Sequence, residues 1–243
     1  MKRFQKRILV AYAFLVSVLL VAVLTKSDAL VRAKNRFGFG SEIKRAEFTE
    51  YYLRLVQSHE RMDANVPGGS AIFIGDSITQ GLCVNAVTIP SVNYGIGSDT
   101  TAGVLNRLPK YRSLERASVV IYAIGVNDIR LRDNADILKN YRNILQKTTR
   151  DCPIVLSAVL PIDGTIQQFP AFNSRIRTLN QELQHLCAAD PRCVFVNAGA
   201  KLTDQTGNLS KKFHNGDGIH LNCAGYTVWI AALKDAIKIA THR

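Results

Sequence analysis

The sequence lacks the closely spaced cysteine pairs that hold a metal. Its five cysteines, Cys83, Cys152, Cys187, Cys193 and Cys223, show no metal-ligand spacing, which takes a cysteine-based metal site out of consideration. An odd count leaves at least one thiol free even in an oxidising compartment. Cys187 and Cys193 are near in sequence, and Cys152 precedes a predicted strand much as Cys193 does. A disulfide within this trio and separate buried thiols are both open readings at this level. Acidic residues are also scarce, 19 against 31 Lys and Arg, for a formal charge of +12. That excess is not spread along the chain. Residues 1 to 45 hold ten Lys and Arg against Asp28 and Glu42, a net +8, which leaves +4 for all the rest. Most of the basicity flanks an apolar segment, where it meets anionic lipid head groups, so a nucleic-acid partner has little to rest on.

What is present is an ordinary globular composition, 47% hydrophobic and 21% charged over 243 residues, enough for one sizeable core and an N-terminal appendage. The appendage is the run Ile8 to Leu24, in which only Tyr12 and Ser17 are not plainly apolar. At about 1.5 Å per residue it spans roughly 26 Å, the short end for a transmembrane helix and long for a signal-peptide core. Ser27-Asp28-Ala29 is the best cleavage candidate and a poor one, so the reading is an uncleaved anchor rather than a removed signal. The run is apolar on every face, which argues against an amphipathic helix of the globular domain. Lys2, Arg3, Lys6 and Arg7 form a denser basic cluster than Lys26, Arg32, Lys34 and Arg36. The positive-inside tendency then leaves the N-terminus in the cytoplasm and the remainder outside, periplasmic in a bacterium. The expected organisation is a basic terminus over 1–7, an anchor over 8–24, a linker over 25–42 and one domain over 43–243.

Within that domain, Phe48, Tyr52, Leu55 and Val56 mark an amphipathic helix from Ile43 to about Met62, and Pro67-Gly68-Gly69 breaks the chain. Short Val- and Ile-rich runs then alternate with longer amphipathic ones. Strands are expected at Ala71 to Ile74, Ser91 to Tyr94, Val119 to Ile124, Ile154 to Leu160 and Val194 to Asn197. Helices are expected near 79–86, 100–109, 134–150, 171–189 and 223–241. The alternation predicts an α/β fold with a five-stranded parallel sheet, helices on both faces and a flavodoxin-like order of 2-1-3-4-5. Ligands in such folds sit beyond the carboxyl ends of the strands.

Four short motifs fall at those ends or before the last helix. Gly75-Asp76-Ser77 puts a serine at a strand-to-helix turn, where it is either an exposed nucleophile or a helix cap. Asp217-Gly218-Ile219-His220 supplies a base and an orienting carboxylate on one loop, or else a capped surface turn. Gly125-Val126-Asn127-Asp128 offers a side-chain amide to an oxyanion, or simply ends a strand. Asn93 to Thr101, with Gly95 and Gly97, lets backbone N–H groups approach a substrate oxygen, or is a glycine-rich turn. Each motif is weak alone, and together they converge in this architecture.

In that order the four blocks resemble the GDSL/SGNH hydrolases, a family of esterases, lipases, thioesterases and carbohydrate acetylesterases. The resemblance covers residues 70 to about 240. The stretch NYGIGSDTTAGVLNRL from Asn93 to Leu108 is similar to the branch that includes platelet-activating-factor acetylhydrolase subunits and bacterial lysophospholipase/thioesterases. It implies the three-layer SGNH fold, Ser77 as nucleophile, His220 as general base and then acid, and Asp217 as its partner. It also implies an oxyanion hole from the Ser77 N–H, an N–H of the second block and the Asn127 amide, with neither metal nor organic cofactor. Ser98 stands where close relatives usually carry glycine. A backbone donor survives there if Ser98 reaches the required dihedrals; Gly97 is the alternative contributor. The implied reaction is hydrolysis of a lipid-like acyl ester through an acyl-enzyme. The rivals are a carbohydrate or peptidoglycan O-acetylesterase, a transferase that passes the acyl group to a sugar, and a catalytically silent binding protein on the same fold. The loop PIDGTIQQFPAF, Pro161 to Phe172, is a candidate for the substrate rim, and its apolar content favours an acyl chain.

Overall fold

In the computed structural model, residues 47–167 and 172–242 are described. The chain divides into two units, Met1–Ala46 and Glu47–Arg243, and the sheet lies in the second. The expected anchor over 8–24 and its basic flanks lie outside the described residues. Among the described residues no helix is long and apolar enough to cross a membrane.

The expected runs form five strands, the three inner ones buried almost throughout and the two at the edges only in part. They are β1 (Ala71–Gly75), β2 (Ser91–Gly95), β3 (Val119–Ala123), β4 (Ile154–Ser157) and β5 (Cys193–Val196). Every neighbouring pair is parallel and the order is β2-β1-β3-β4-β5, as the sequence predicts. Ile72, Ile74, Val120, Ile154, Val155 and Leu156 have no measurable exposure, as befits a sheet covered on both sides. The register aligns three strand ends. Gly75 pairs with Gly95 on one side and with Ala123 on the other, so β2, β1 and β3 end level with one another.

The helices are α1 (Glu50–Asp63), α2 (Ser77–Gln80), α3 (Thr101–Arg107), α4 (Asn134–Lys147), α5 (Gly164–Gln167), α6 (Phe172–Ala188), α7 (Gly199–Leu202) and α8 (Cys223–Thr241). Helices α3, α4 and α6 pack side by side, while α8 lies against β3, β4 and β5. Side-chain caps set several starts. Thr49 accepts the Tyr52 N–H at α1, Thr100 the Gly103 N–H at α3, Asp133 the Asp136 N–H at α4 and Asn222 the Gly225 N–H at α8.

Three expectations change. The helix expected over 79–86 is instead the single turn α2 followed by a 3-10 turn at Val84–Ala86, because Gly81 closes α2 after four residues. Strand β4 stops at Ser157 rather than Leu160. Beyond it the backbone of Val159 and Ile162 is bonded in both directions by the Asn180 and Asn173 amides of α6. The loop PIDGTIQQFPAF carries the short helix α5. Cys187 and Cys193 form a disulfide with Cα atoms 5.2 Å apart, joining the end of α6 to the start of β5. Cys152 is a buried free thiol, and Cys83 and Cys223 are exposed and free.

Candidate active site

The level strand ends bring three of the four motifs to one edge. Gly75 is the last residue of β1, and a side chain there would collide with the Thr79 hydroxyl and the Ala123 carbonyl. Only glycine lets α2 turn back so tightly over the sheet. Asp76 then caps α2, accepting the Ile78 N–H at 3.0 Å. Ser77 follows as the first residue of that helix, so the cap is Asp76 and the Ser77 hydroxyl is left for other work.

Ser77 meets the fourth motif directly. His220 Nε2 lies 2.8 Å from Ser77 Oγ, and His220 Nδ1 lies 2.5 Å from Asp217 Oδ2. The other Asp217 oxygen accepts the Ile219 and His220 N–H groups at 2.8 and 2.9 Å. Burial works to raise the pKa of Asp217, but hydrogen bonds from His220 and the loop amides outweigh it and hold the carboxyl below its ordinary value. Asp217 is therefore ionised at neutral pH. It accepts a proton-bearing Nδ1, which turns the Nε2 lone pair toward the serine hydroxyl.

The oxyanion candidates divide. Asn127 follows β3, and its amide donates to the Asp99 carbonyl at 2.9 Å, holding the second and third motifs together. Gly97 N–H donates to Gln80 Oε1 at 2.7 Å, and Gln80 Nε2 donates to the Tyr51 hydroxyl at 2.7 Å. Ser98 adopts φ +62°, the left-handed region that a glycine enters freely. Among the described residues it is the one non-glycine residue at positive φ.

Beneath this edge lies a polar network that sequence reading did not find. Arg107, fully buried, pairs with Asp99 at 2.9 Å and donates to the Gly75 carbonyl at 3.2 Å and the Tyr111 hydroxyl at 3.3 Å. It thus ties the second motif to the end of β1. A signal existed: Arg107 sits with Val104 on the buried stripe of α3, where a charge requires a partner. Asp128 accepts the Thr101 N–H and hydroxyl at 2.9 and 2.6 Å and pairs with Arg132. Burial raises the carboxyls of Asp76 to about 7 and of Asp99 to about 6, and pushes Asp128 upward as well. Proximity to one another adds to the shifts of Asp76 and Asp99. Among the described residues no group of three or more His, Cys, Asp or Glu side chains is gathered to hold a metal.

Comparison with known proteins gives the family of the chain. The family model of the GDSL-like Lipase/Acylhydrolase family matches residues 73–228, from within β1 past His220. No curated protein matches the chain. A Streptococcus pneumonia protein provisionally named a platelet activating factor is 29% identical with a TM-score of 0.71, covering 77% of this chain and 93% of its own. A GDSL-like lipase from Bacteroides thetaiotaomicron is 20% identical at a TM-score of 0.67, over 76% of this chain and 98% of its own. An acetylxylan esterase from Geobacillus stearothermophilus is 19% identical at 0.59, over 70% and 94%. At those two identities the likeness is one of fold alone. The family match spans most of the domain and all four motifs, and by it the chain belongs to the GDSL-like lipase/acylhydrolase family and is a hydrolase of ester bonds.

Proposed function

We propose that the chain is a serine esterase in which Ser77 is the nucleophile, His220 its general base and then acid, and Asp217 the carboxylate that orients and charges the imidazole. The observation that carries this reading is the unbroken relay from Ser77 Oγ through both His220 nitrogens to Asp217. Ser77 attacks the ester carbonyl as His220 Nε2 takes its proton. The alcohol leaves with that proton, and water activated by the same nitrogen then cleaves the acyl-enzyme. The developing oxyanion is received by the Ser77 N–H at the start of α2, the Ser98 N–H and the Asn127 amide. Ser98 is favoured over Gly97 because Gly97 already donates to Gln80. The left-handed turn at Ser98, which costs a non-glycine residue roughly 1–2 kcal/mol, is the strain that aims this donor.

For the substrate, a carboxylic ester with an apolar acyl chain is favoured over an acetylated glycan. Ile166 of α5 is 41% exposed and lies beside Gly218 in the loop that carries His220. An apolar side chain beside that loop is available to an apolar ligand, since ligand sites are lined mainly by apolar side chains. The Cys187–Cys193 disulfide and the apolar run over 8–24 support a membrane-tethered enzyme working on the oxidising, extracytoplasmic side.

Hydrolysis of p-nitrophenyl esters from acetate to palmitate by the full chain and its Ser77→Ala variant tests the proposal. Wild type is expected to turn over medium or long chains faster than acetate, and Ser77→Ala to lose at least about 10⁴-fold in kcat. An optimum at acetate would transfer the reading to a carbohydrate O-acetylesterase. Undiminished turnover by Ser77→Ala would end the serine mechanism.

A further inference from the structure

The loop that bears Asp217 and His220 is built from residues that do little to hold a shape. Gly216 and Gly218 flank Asp217, and both take positive φ, +107° and +78°. Two glycines around a carboxylate would leave it free to wander unless something fixed their backbone. Beside the bonds of Asp217 to the Ile219 and His220 N–H groups and of its own N–H to Asn215 Oδ1, a second histidine fixes the two glycines. His214 is buried, and its Nδ1 accepts the N–H of Gly216 at 3.0 Å and the N–H of Gly218 at 3.3 Å. One imidazole nitrogen thus grips the backbone on both sides of Asp217.

An Nδ1 that accepts two N–H donors carries no proton, so the ring hydrogen is on Nε2. Nε2 faces Asp163 Oδ2 at 3.5 Å without hydrogen-bonding to it, and both side chains are almost wholly buried. Asp163 also accepts the Thr165 N–H and hydroxyl through its other oxygen, at 3.0 and 2.6 Å. Its own N–H donates to the Gly218 carbonyl at 2.7 Å. The loop after β4 and the loop before α8 are therefore joined by this backbone bond, with the Asp163 carboxylate set against the His214 imidazole. Neighbouring bonds extend the connection: Asn215 N–H donates to the His220 carbonyl at 3.0 Å, and the Asn222 amide to the His214 carbonyl at 3.1 Å.

We propose that His214 is a positioning residue for the Asp217–His220 pair, acting through the two backbone N–H groups its Nδ1 accepts, with the Asp163 carboxylate facing Nε2 favouring the proton on that side. The inference rests on the proposed roles of Asp217 and His220. His214 touches no reacting atom; it acts by presenting an acceptor at one point in space. Losing that point lets the Asp217 carboxylate shift, and a displacement of about 1 Å in such a site lowers turnover on the order of 100-fold.

The test compares two polar substitutions of similar bulk in the full chain. His214→Asn keeps an acceptor where Nδ1 was, and His214→Gln moves it out to where Nε2 was. With p-nitrophenyl esters, His214→Asn is expected to keep kcat within about fivefold of wild type, and His214→Gln to lose on the order of 100-fold with KM within about twofold. The downfield proton resonance of the short His220–Asp217 hydrogen bond is expected to persist in the first and vanish in the second. Equal kcat in the two folded variants overturns the proposal, as does a loss expressed wholly in KM. Ser77→Ala and His220→Ala run beside them: if these retain turnover, the triad reading fails rather than this one. If either His214 variant does not fold, the imidazole ¹⁵N shifts of wild-type His214 decide. A bare Nδ1 with a protonated Nε2 supports the proposal, and the opposite tautomer overturns it.

Discussion

Asp76 illustrates how a residue at the site is set by its surroundings rather than its type. Its carboxylate caps α2, yet burial, reinforced by the nearby Asp99 and Asp128, raises its pKa from 3.8 to about 7. A carboxyl with a raised folded-state pKa contributes stability that is full below its unfolded value and is lost as pH rises through the folded one. Between about pH 4 and 7 the protein is therefore expected to lose stability through Asp76, and through Asp99 with the same sign. Asp217, with its lowered pKa, acts oppositely and only at acid pH. Asp76→Asn keeps the cap without the ionisation, so its denaturation midpoint is expected to fall less across that range than wild type's. Parallel pH profiles for the two would contradict the assignment. None of this is readable from Gly-Asp-Ser as letters, whereas the proposed triad of Ser77, Asp217 and His220 could be singled out in the sequence, because the roles of nucleophile, base and orienter demand those residue types.

At the scale of elements, the inner strands β1, β3 and β4 were legible because a sheet buried on both faces needs continuous apolar runs, and the partly buried edge strands β2 and β5 were found from their place in the alternation of strands and helices. Their ends were less legible. The stretch after Ser157 remains apolar, and the Asn180 and Asn173 amides that replace strand pairing there sit on α6, some twenty and eleven residues away. The short helices α5 and α7 carry too little periodicity to be seen. Helix α3 holds the least legible feature of all, the Arg107–Asp99 pair that fixes the second motif against β1. Removing one member of a buried pair leaves the other charge uncompensated, at about 3–5 kcal/mol. Arg107→Leu is accordingly expected to lower the unfolding free energy in guanidinium by that amount, with Arg107→Leu/Asp99→Leu recovering part of it. A loss below about 1 kcal/mol in the single variant would show that the pair does not hold the edge together.

Over the whole molecule, one consequence of topology organises the site. The order β2-β1-β3-β4-β5 with level ends at Gly75, Gly95 and Ala123 gathers Ser77, Ser98 and Asn127 at one edge, and α8 returns the chain so that its preceding loop lays His220 over Ser77. The order of the motifs along the sequence foretold this convergence. The sequence left the disulfide open: Cys152 and Cys193 both stand at the entry to neighbouring strands, and only the turn from α6 into β5 brings Cys187 to Cys193 rather than to Cys152. The most direct trial of the serine mechanism is to treat the full chain with a fluorophosphonate and locate the adduct by peptide mass spectrometry. One phosphonyl group on Ser77, absent when His220 is replaced by alanine, is the expected result. An adduct on another residue, or labelling that proceeds unchanged in Ser77→Ala, would contradict it.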